Sequence, residues 1–291
     1  MKILTIDIGG SSVKSALFDQ TLSDIRRFDS PADWETMRQK LDQLIQSYLR
    51  QAEVAAISFS VPGIPNQATG EIEGASSLRY LHGFDFRGYF QAHYPLPIFF
   101  ENDANCGCIA ELQAGAAKDL QSVLFLVIGT GIGGALVVDK KILPGAHRFG
   151  GEFGMMLMEH DGQFKEWSEL GSAVHMGRKF SQLKGKTYQG TDVFELAAVG
   201  DERAQTLCEE LYHYLALGIY NLQYSFDPQA FVLSGGIVNQ PELLANISRK
   251  LQVIMGYGQR CPIVPQLRVA TFGSQANLIG AGLVAQTEKI N

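Results

Sequence analysis

The 291-residue chain has little cysteine, no run of like charge and no apolar stretch of membrane-spanning length. Its four cysteines, Cys106, Cys108, Cys208 and Cys261, form no C-x-x-C pair. A structural zinc site is therefore not expected, and the thiols read as reduced. Basic residues number 24 against 30 acidic ones, a formal charge of −6 without a basic block. That disfavours nucleic acid as a partner. After Met1 and Lys2 the apolar stretch is too short for a signal-peptide core and soon meets Asp7, so a cytoplasmic protein is expected, away from any membrane. No G-x-x-x-x-G-K-[ST] occurs, which removes support for a P-loop nucleotide site.

What remains is an ordinary globular composition, 46% hydrophobic and 19% charged, on a chain long enough for two lobes. Apolar runs at 3–8 and 13–18 flank a Gly-Gly-Ser-Ser turn and read as a hairpin. Trp34, Met37, Leu41, Leu44, Ile45 and Tyr48 recur at helical spacing. Strands are expected at 54–61 and 96–100, a loop region with short strands at 70–87, and a helix at 104–117. The pattern then restarts with a strand at 122–128, a tight turn at 129–134 and a strand at 135–138. Helices at 191–198 and 202–224, strands at 230–233 and 269–271 and a closing helix at 275–286 complete it. Each half opens with strand, glycine turn and strand, a repeat of pattern rather than of identity. Two α/β lobes around a cleft follow, with the boundary near 117–121.

The run Gly129-Thr130-Gly131-Ile132-Gly133-Gly134 formally fits G-x-G-x-x-G. A dinucleotide fingerprint must open a helix, whereas a strand pattern follows here. A bare glycine turn can still offer N–H groups to a phosphate, and four glycines in six positions exceed what a plain hairpin needs. The run Asp7-Ile8-Gly9-Gly10-Ser11-Ser12-Val13-Lys14 adds a carboxylate able to hold Mg²⁺. Ser234-Gly235-Gly236 is a third glycine turn, expected near the nucleoside.

Glu101-Asn102-Asp103-Ala104-Asn105 sits between a strand and a helix, where open α/β sheets bind ligands. Phosphoryl transfer to an alcohol needs a carboxylate within reach of the attacking hydroxyl, a part Asp103 can take. Asn102 can hold a sugar hydroxyl. On local grounds a helix N-cap explains these residues equally well.

Together with Gly150-Gly151-Glu152-Phe153-Gly154, these motifs resemble the ROK family (repressors, open reading frames, kinases) in order and spacing over nearly the whole chain. The resemblance implies a two-lobed actin-like ATPase (ribonuclease H-like) fold with a central cleft, usually as a homodimer. It implies lobes at 1–118, with the sugar contacts and catalytic Asp, and at 119–291, for nucleotide binding and dimerisation, the last helix packing back on the first lobe. It implies an ATP-dependent sugar kinase acting at a hexose 6-hydroxyl, with Asp103 as base. Gly63, Ser77, Asn102, Glu152, Met155, Glu166 and Glu169 are the implied sugar contacts. Asp7, Gly9, Gly10, Ser11, Lys14, Thr130, Gly131, Gly133, Gly235 and Gly236 would serve MgATP, with Asp7 toward the metal.

The chain departs from the family pattern twice. Gly154-Met155-Met156 stands where Gly-His-Met is usual, and no cysteine lies between Cys108 and Cys208, so zinc is not expected. Neither Glu166 nor Glu169 keeps the family's distance to Ser172, and both stay open. A thioether at 155 cannot replace a strong hydrogen-bond donor near the anomeric end, which opens the site to a β-glucoside or disaccharide. The alternative is that Met155 fills an apolar gap left by the lost zinc. A regulator of the family would carry a helix-turn-helix ahead of the first strand, so an enzyme is expected. A sugar-binding protein without kinase activity is the remaining alternative.

Overall fold

The computed structural model describes residues 1–74, 76–258 and 262–290, without the side chains of Lys289 and Ile290. Cys261 lies outside them. The chain divides into two compact units, one of Met1–Gly115 with Ser274–Asn291, the other of Ala116–Gly273.

The first unit opens with β1 (Ile3–Ile8), β2 (Ser12–Asp19) and β3 (Thr21–Asp29), then helix α1 (Trp34–Leu49) and strand β4 (Ala56–Val61). The pair β5 (Ile64–Pro65) and β6 (Ile72–Glu73), helix α2 (Phe86–His93), strand β7 (Ile98–Asn102) and helix α3 (Asp103–Ala114) follow. Its sheet runs β3-β2-β1-β4-β7, antiparallel through β1 and parallel from there. Every residue of β1 is buried because neighbours cover both edges and both faces. Helix α1 buries Met37, Leu41, Ile45 and Tyr48 on one stripe, and Asp33 caps it by accepting from the Thr36 N–H.

The second unit holds β8 (Val123–Ile128), β9 (Ile132–Val138), β10 (Lys141–Ile142), the hairpin β11 (Leu157–His160) and β12 (Gln163–Glu166), and helices α4 (Trp167–Gly171), α5 (Ala173–Lys184), α6 (Gly190–Ala198) and α7 (Glu202–Phe226). It closes with β13 (Ala230–Ser234), α8 (Leu243–Tyr257) and β14 (Leu267–Val269). Its sheet, β10-β9-β8-β13-β14, repeats the order of the first, with an antiparallel hairpin joined to parallel strands. Trp167 is fully buried and donates its indole N–H to the Tyr214 carbonyl at 2.8 Å, which ties α4 to α7.

The chain then returns to the first unit as α9 (Ala276–Ile290). Ser58 donates to the Ala281 carbonyl at 2.6 Å, and Gly280 lies so close to the Cys106 carbonyl that a Cβ would not fit. Cys106 thus packs under α9, and burial of both cysteines pushes their thiols up, away from the reactive thiolate form. Among the described residues no helix is long and apolar enough to cross a membrane.

Several expected boundaries move. The expected strand at 96–100 runs on to Asn102, and the helix begins at Asp103 rather than Ala104. The expected turn at 129–134 shrinks to three residues, since β9 already includes Gly133 and Gly134. The last strand lies at 267–269 rather than 269–271. Strand β3 and helices α2, α5 and α8 were not among the expected elements.

Candidate active site

In the first unit, Asn102 is the N-cap of α3: its Oδ1 accepts from the Asn105 N–H at 3.0 Å. Its amide donates to the Gly63 carbonyl at 2.8 Å and to Asp103 Oδ1 at 3.1 Å. Asp103 Oδ1 also accepts from the Ala104 N–H at 2.8 Å. The capping role thus falls to Asn102, and Asp103, half-buried in the first turn, is held by two N–H donors at a strand's carboxyl end. Both donors of the Asn102 amide are committed, so its spare capacity is a lone pair on Oδ1. Gly63 has φ +86, and a Cβ there would meet Ile72, the Glu73 carbonyl and His82.

The β1–β2 turn lies in the same unit. Asp7 is 5% exposed. Its Oδ1 accepts from Ser60 Oγ at 2.8 Å and from the Asn277 amide at 3.0 Å. Burial raises its pKa above the ordinary value, and the two donors and Lys14 oppose that only in part. Lys14 pairs with Asp7 across the strands and donates to the Ser274 carbonyl at 3.1 Å. Gly9 closes the turn by donating to the Ser12 carbonyl at 3.1 Å, while Gly10 and Ser11 face solvent. Ser77 Oγ fills the space that a Cβ on Gly10 would need.

In the second unit the glycines divide by task. Gly134 packs against the Phe125 carbonyl and Phe153 and Gly235 (φ +93) against Ile128, both too closely for a Cβ, while a Cβ on Gly131 would press on the Ser168 side chain. A Cβ at Gly129, Gly133 or Gly236 would meet nothing within 4 Å. Packing is thus a second reason for glycine at 131 and 235, beside the expected phosphate contact, and it suffices at Gly134. Gly129, Thr130 and Gly236 line a cavity of about 410 Å³ together with Ala173 at the start of α5 and Gln189, Thr191 and Phe194 around the start of α6. Sequence reasoning missed this α5–α6 wall. The Gln189–Asp192 capping box, which marks the start of α6, was the available signal.

The Gly150–Gly154 run folds onto the same hairpin. Gly151 (φ +111) abuts Gly134, and Gly154 abuts Ile132 and Ser168. Ser168 Oγ also accepts from the Ile132 N–H at 3.0 Å, so one hydroxyl touches both glycine segments. Between these glycines sits Glu152, half-buried, its pKa raised by burial, its carboxylate making no hydrogen bond or ion pair with another described residue. Met155 is 54% exposed, which corrects the reading of it as an apolar gap-filler. Glu166 is exposed at the end of the β11–β12 hairpin. Glu169 lines a crevice of about 20 Å³ with Lys179 and Glu210, room for about one water.

Over residues 3–288 the chain matches the ROK family. It belongs to that family. Similar curated relatives are the beta-glucoside kinases of Listeria monocytogenes (30% identical, covering 97% of this chain and 96% of the relative) and Klebsiella pneumoniae (29%, 97% and 95%). A ROK family protein from Streptococcus pneumoniae TIGR4, solved in complex with sucrose, superposes with a TM-score of 0.90 at 33% identity over the whole of both chains. The fold is therefore the actin-like one of the ROK sugar kinases.

The ATP and Mg²⁺ that the family implies can be tested against these residues. Taken unit by unit, the exposed Gly10–Ser11 turn of the first suits an anion, and the 410 Å³ cavity beside Thr130 in the second has the size for a nucleoside. Among the described residues no group of three or more His, Cys, Asp or Glu could hold a metal by itself. A single carboxylate, Asp7, suits Mg²⁺ carried by the phosphates of its nucleotide.

Proposed function

We propose that this chain is an ATP-dependent kinase that phosphorylates a hexose or hexoside at its 6-hydroxyl. The observation that carries the reading is Asp103: a strand-end carboxylate oriented by the Ala104 N–H and the Asn102 amide. Asp103 takes the hydroxyl proton as the sugar oxygen bonds to the γ-phosphorus and the bond to the ADP oxygen breaks. Gly63, Ser77 and the remaining Asn102 lone pair hold sugar hydroxyls in the first unit. In the second, the Glu152 carboxylate, which has no partner among the described residues, can accept from a sugar hydroxyl, with Glu166 as a further contact and Glu169 a weaker one. Gly9, Gly10, Ser11 and Lys14, with Thr130, Gly133 and Gly236, receive the nucleotide. Mg²⁺, when bound near Asp7, would neutralise charge developing on the phosphates. A homodimer is part of the same proposal.

Met155 supports a glycoside over a free sugar. Its exposed thioether offers no strong donor where the family pattern has histidine, so an anomeric substituent meets no lost hydrogen bond. The beta-glucoside kinase relatives and the sucrose complex agree with that direction.

Coupled detection of ADP release with glucose, N-acetylmannosamine, fructose and cellobiose tests the reading. Asp103→Asn is expected to lower kcat by about 10³-fold while sugar KM stays close to wild type. Wild type that binds sugar but releases no ADP sinks the kinase. A folded Asp103→Asn with near-full turnover sinks the base.

A further inference from the structure

His82 takes no part in the reaction proposed above, yet both nitrogens of this half-buried ring are engaged. Nδ1 lies 2.9 Å from the Ile72 carbonyl, which can only accept, so Nδ1 carries the proton. Nε2 lies 2.8 Å from Ser76 Oγ and, in the neutral ring, accepts from it. Ser76 Oγ in turn accepts from the Leu78 N–H at 3.2 Å. The imidazole is therefore held at two points and cannot turn freely on its side-chain bonds.

Cε1, the ring atom between those nitrogens, faces Gly63. A Cβ on Gly63 would lie 3.0 Å from His82 Cε1, 3.0 Å from Ile72 Cγ2 and 2.8 Å from the Glu73 carbonyl oxygen. Ile72 and Glu73 form β6, which pairs with β5 directly after Gly63. Of these three, only His82 comes from outside the β5–β6 pair. A glycine has wide backbone freedom, so its carbonyl keeps one direction only where packing holds it. The Gly63 carbonyl accepts from the Asn102 amide at 2.8 Å, and the same amide donates to Asp103 Oδ1 at 3.1 Å. Two donors on one planar group move together, so a displaced Gly63 carbonyl would draw the amide off Asp103.

We infer that His82 is a positioning residue for the base: it fixes the Gly63 carbonyl, which fixes the Asn102 amide, which orients the Asp103 carboxylate. All four residues lie in the first unit. The inference rests on the kinase reading.

Steady-state kinetics of wild type, His82→Ala and His82→Gln, each also combined with Asp103→Asn, test this chain of contacts. His82→Ala is expected to lower kcat about tenfold and to leave KM for ATP within about twofold, because a misplaced catalytic group costs rate rather than nucleotide binding. His82→Gln keeps an acceptor for Ser76 and part of the ring's bulk, and recovers part of the loss. Beside Asp103→Asn, His82→Ala is expected to change kcat by less than about twofold, since no base remains to be oriented. A scaffold role alone would lower kcat by the same factor in both backgrounds. That outcome, or a His82→Ala enzyme with the kcat of wild type, overturns the inference and leaves the kinase standing. If His82→Ala does not fold, His82→Gln carries the same cycle: a loss of about threefold that vanishes beside Asp103→Asn supports the inference, and equal factors or no loss overturn it.

If no sugar yields ADP, or Asp103→Asn keeps full turnover, the kinase or the base fails, and hydrogen exchange still decides the contacts. The Asn105 N–H, bonded to Asn102 Oδ1, is then expected to exchange about tenfold faster in His82→Ala than in wild type while the amides of α1 keep their rates. Equal exchange at Asn105, or faster exchange throughout the unit, overturns the positioning role.

Discussion

Asp7 and Asp103 both stand at the carboxyl ends of strands, but their surroundings differ. Asp103 is half-buried at a helix start, held by its own helix and its cap, whereas Asp7 sits deep between Ser60 and Asn277. Burial raises the Asp7 pKa above its unfolded value near 3.8. Between those two values the native chain holds more protons than the unfolded one, so stability falls as pH rises through the folded pKa. At neutral pH the wild type bears that cost. Asparagine keeps the Oδ1 acceptor for both donors and carries no charge. Asp7→Asn is thus expected to lose kinase activity with Tm at pH 7 no lower than wild type, the Tm advantage shrinking on acidification toward pH 3.8. A Tm loss of several degrees at pH 7 would contradict it. Candidates of this kind could be picked out in the sequence, because Asp7, Asp103 and Glu152 stand inside recognisable runs. The division among the glycines was not. Gly134 and Gly129 look alike in a string, and only the Phe125 carbonyl pressed against one of them separates their tasks.

Helix α4 is only five residues long, yet it organises the second unit's loops. Trp167 anchors it to α7, and Ser168 joins the Thr130 turn to the Gly150–Gly154 run. Ser168→Ala removes the acceptor of the Ile132 N–H, at a cost of roughly 1 kcal/mol locally. The expected outcome is a KM for ATP raised about fivefold with a smaller effect on kcat, measured by ADP release. An unchanged KM would mean that the glycine turn holds its shape unaided. Elements with buried faces were legible: α1 was expected from six apolar residues at helical spacing, four of which it buries on one stripe. Helix α8 carries the same spacing in Leu243, Ile247, Leu251 and Ile254, so its signal was present and overlooked. Strand β3 had little to read, since none of its nine residues is buried and charge interrupts its alternation.

The two units repeat one sheet order, and the restart of strand, glycine turn and strand made that visible before any coordinates. What periodicity could not reveal is that the last helix belongs with the first strands. Asn277 reaches Asp7, Ser274 receives Lys14 and Ala281 receives Ser58. A chain ending at Gly273 is expected to lose hydrogen-exchange protection in β1, β4 and α3 while β8, β13 and α7 keep theirs. Full protection of β1 in that chain would refute the dependence. During synthesis, 270 residues separate the emergence of Asp7 from that of its partner Asn277. The first unit to leave the ribosome therefore cannot finish folding until α9 follows, and Asp7, unlike Asp103 with its local partners, waits for that helix.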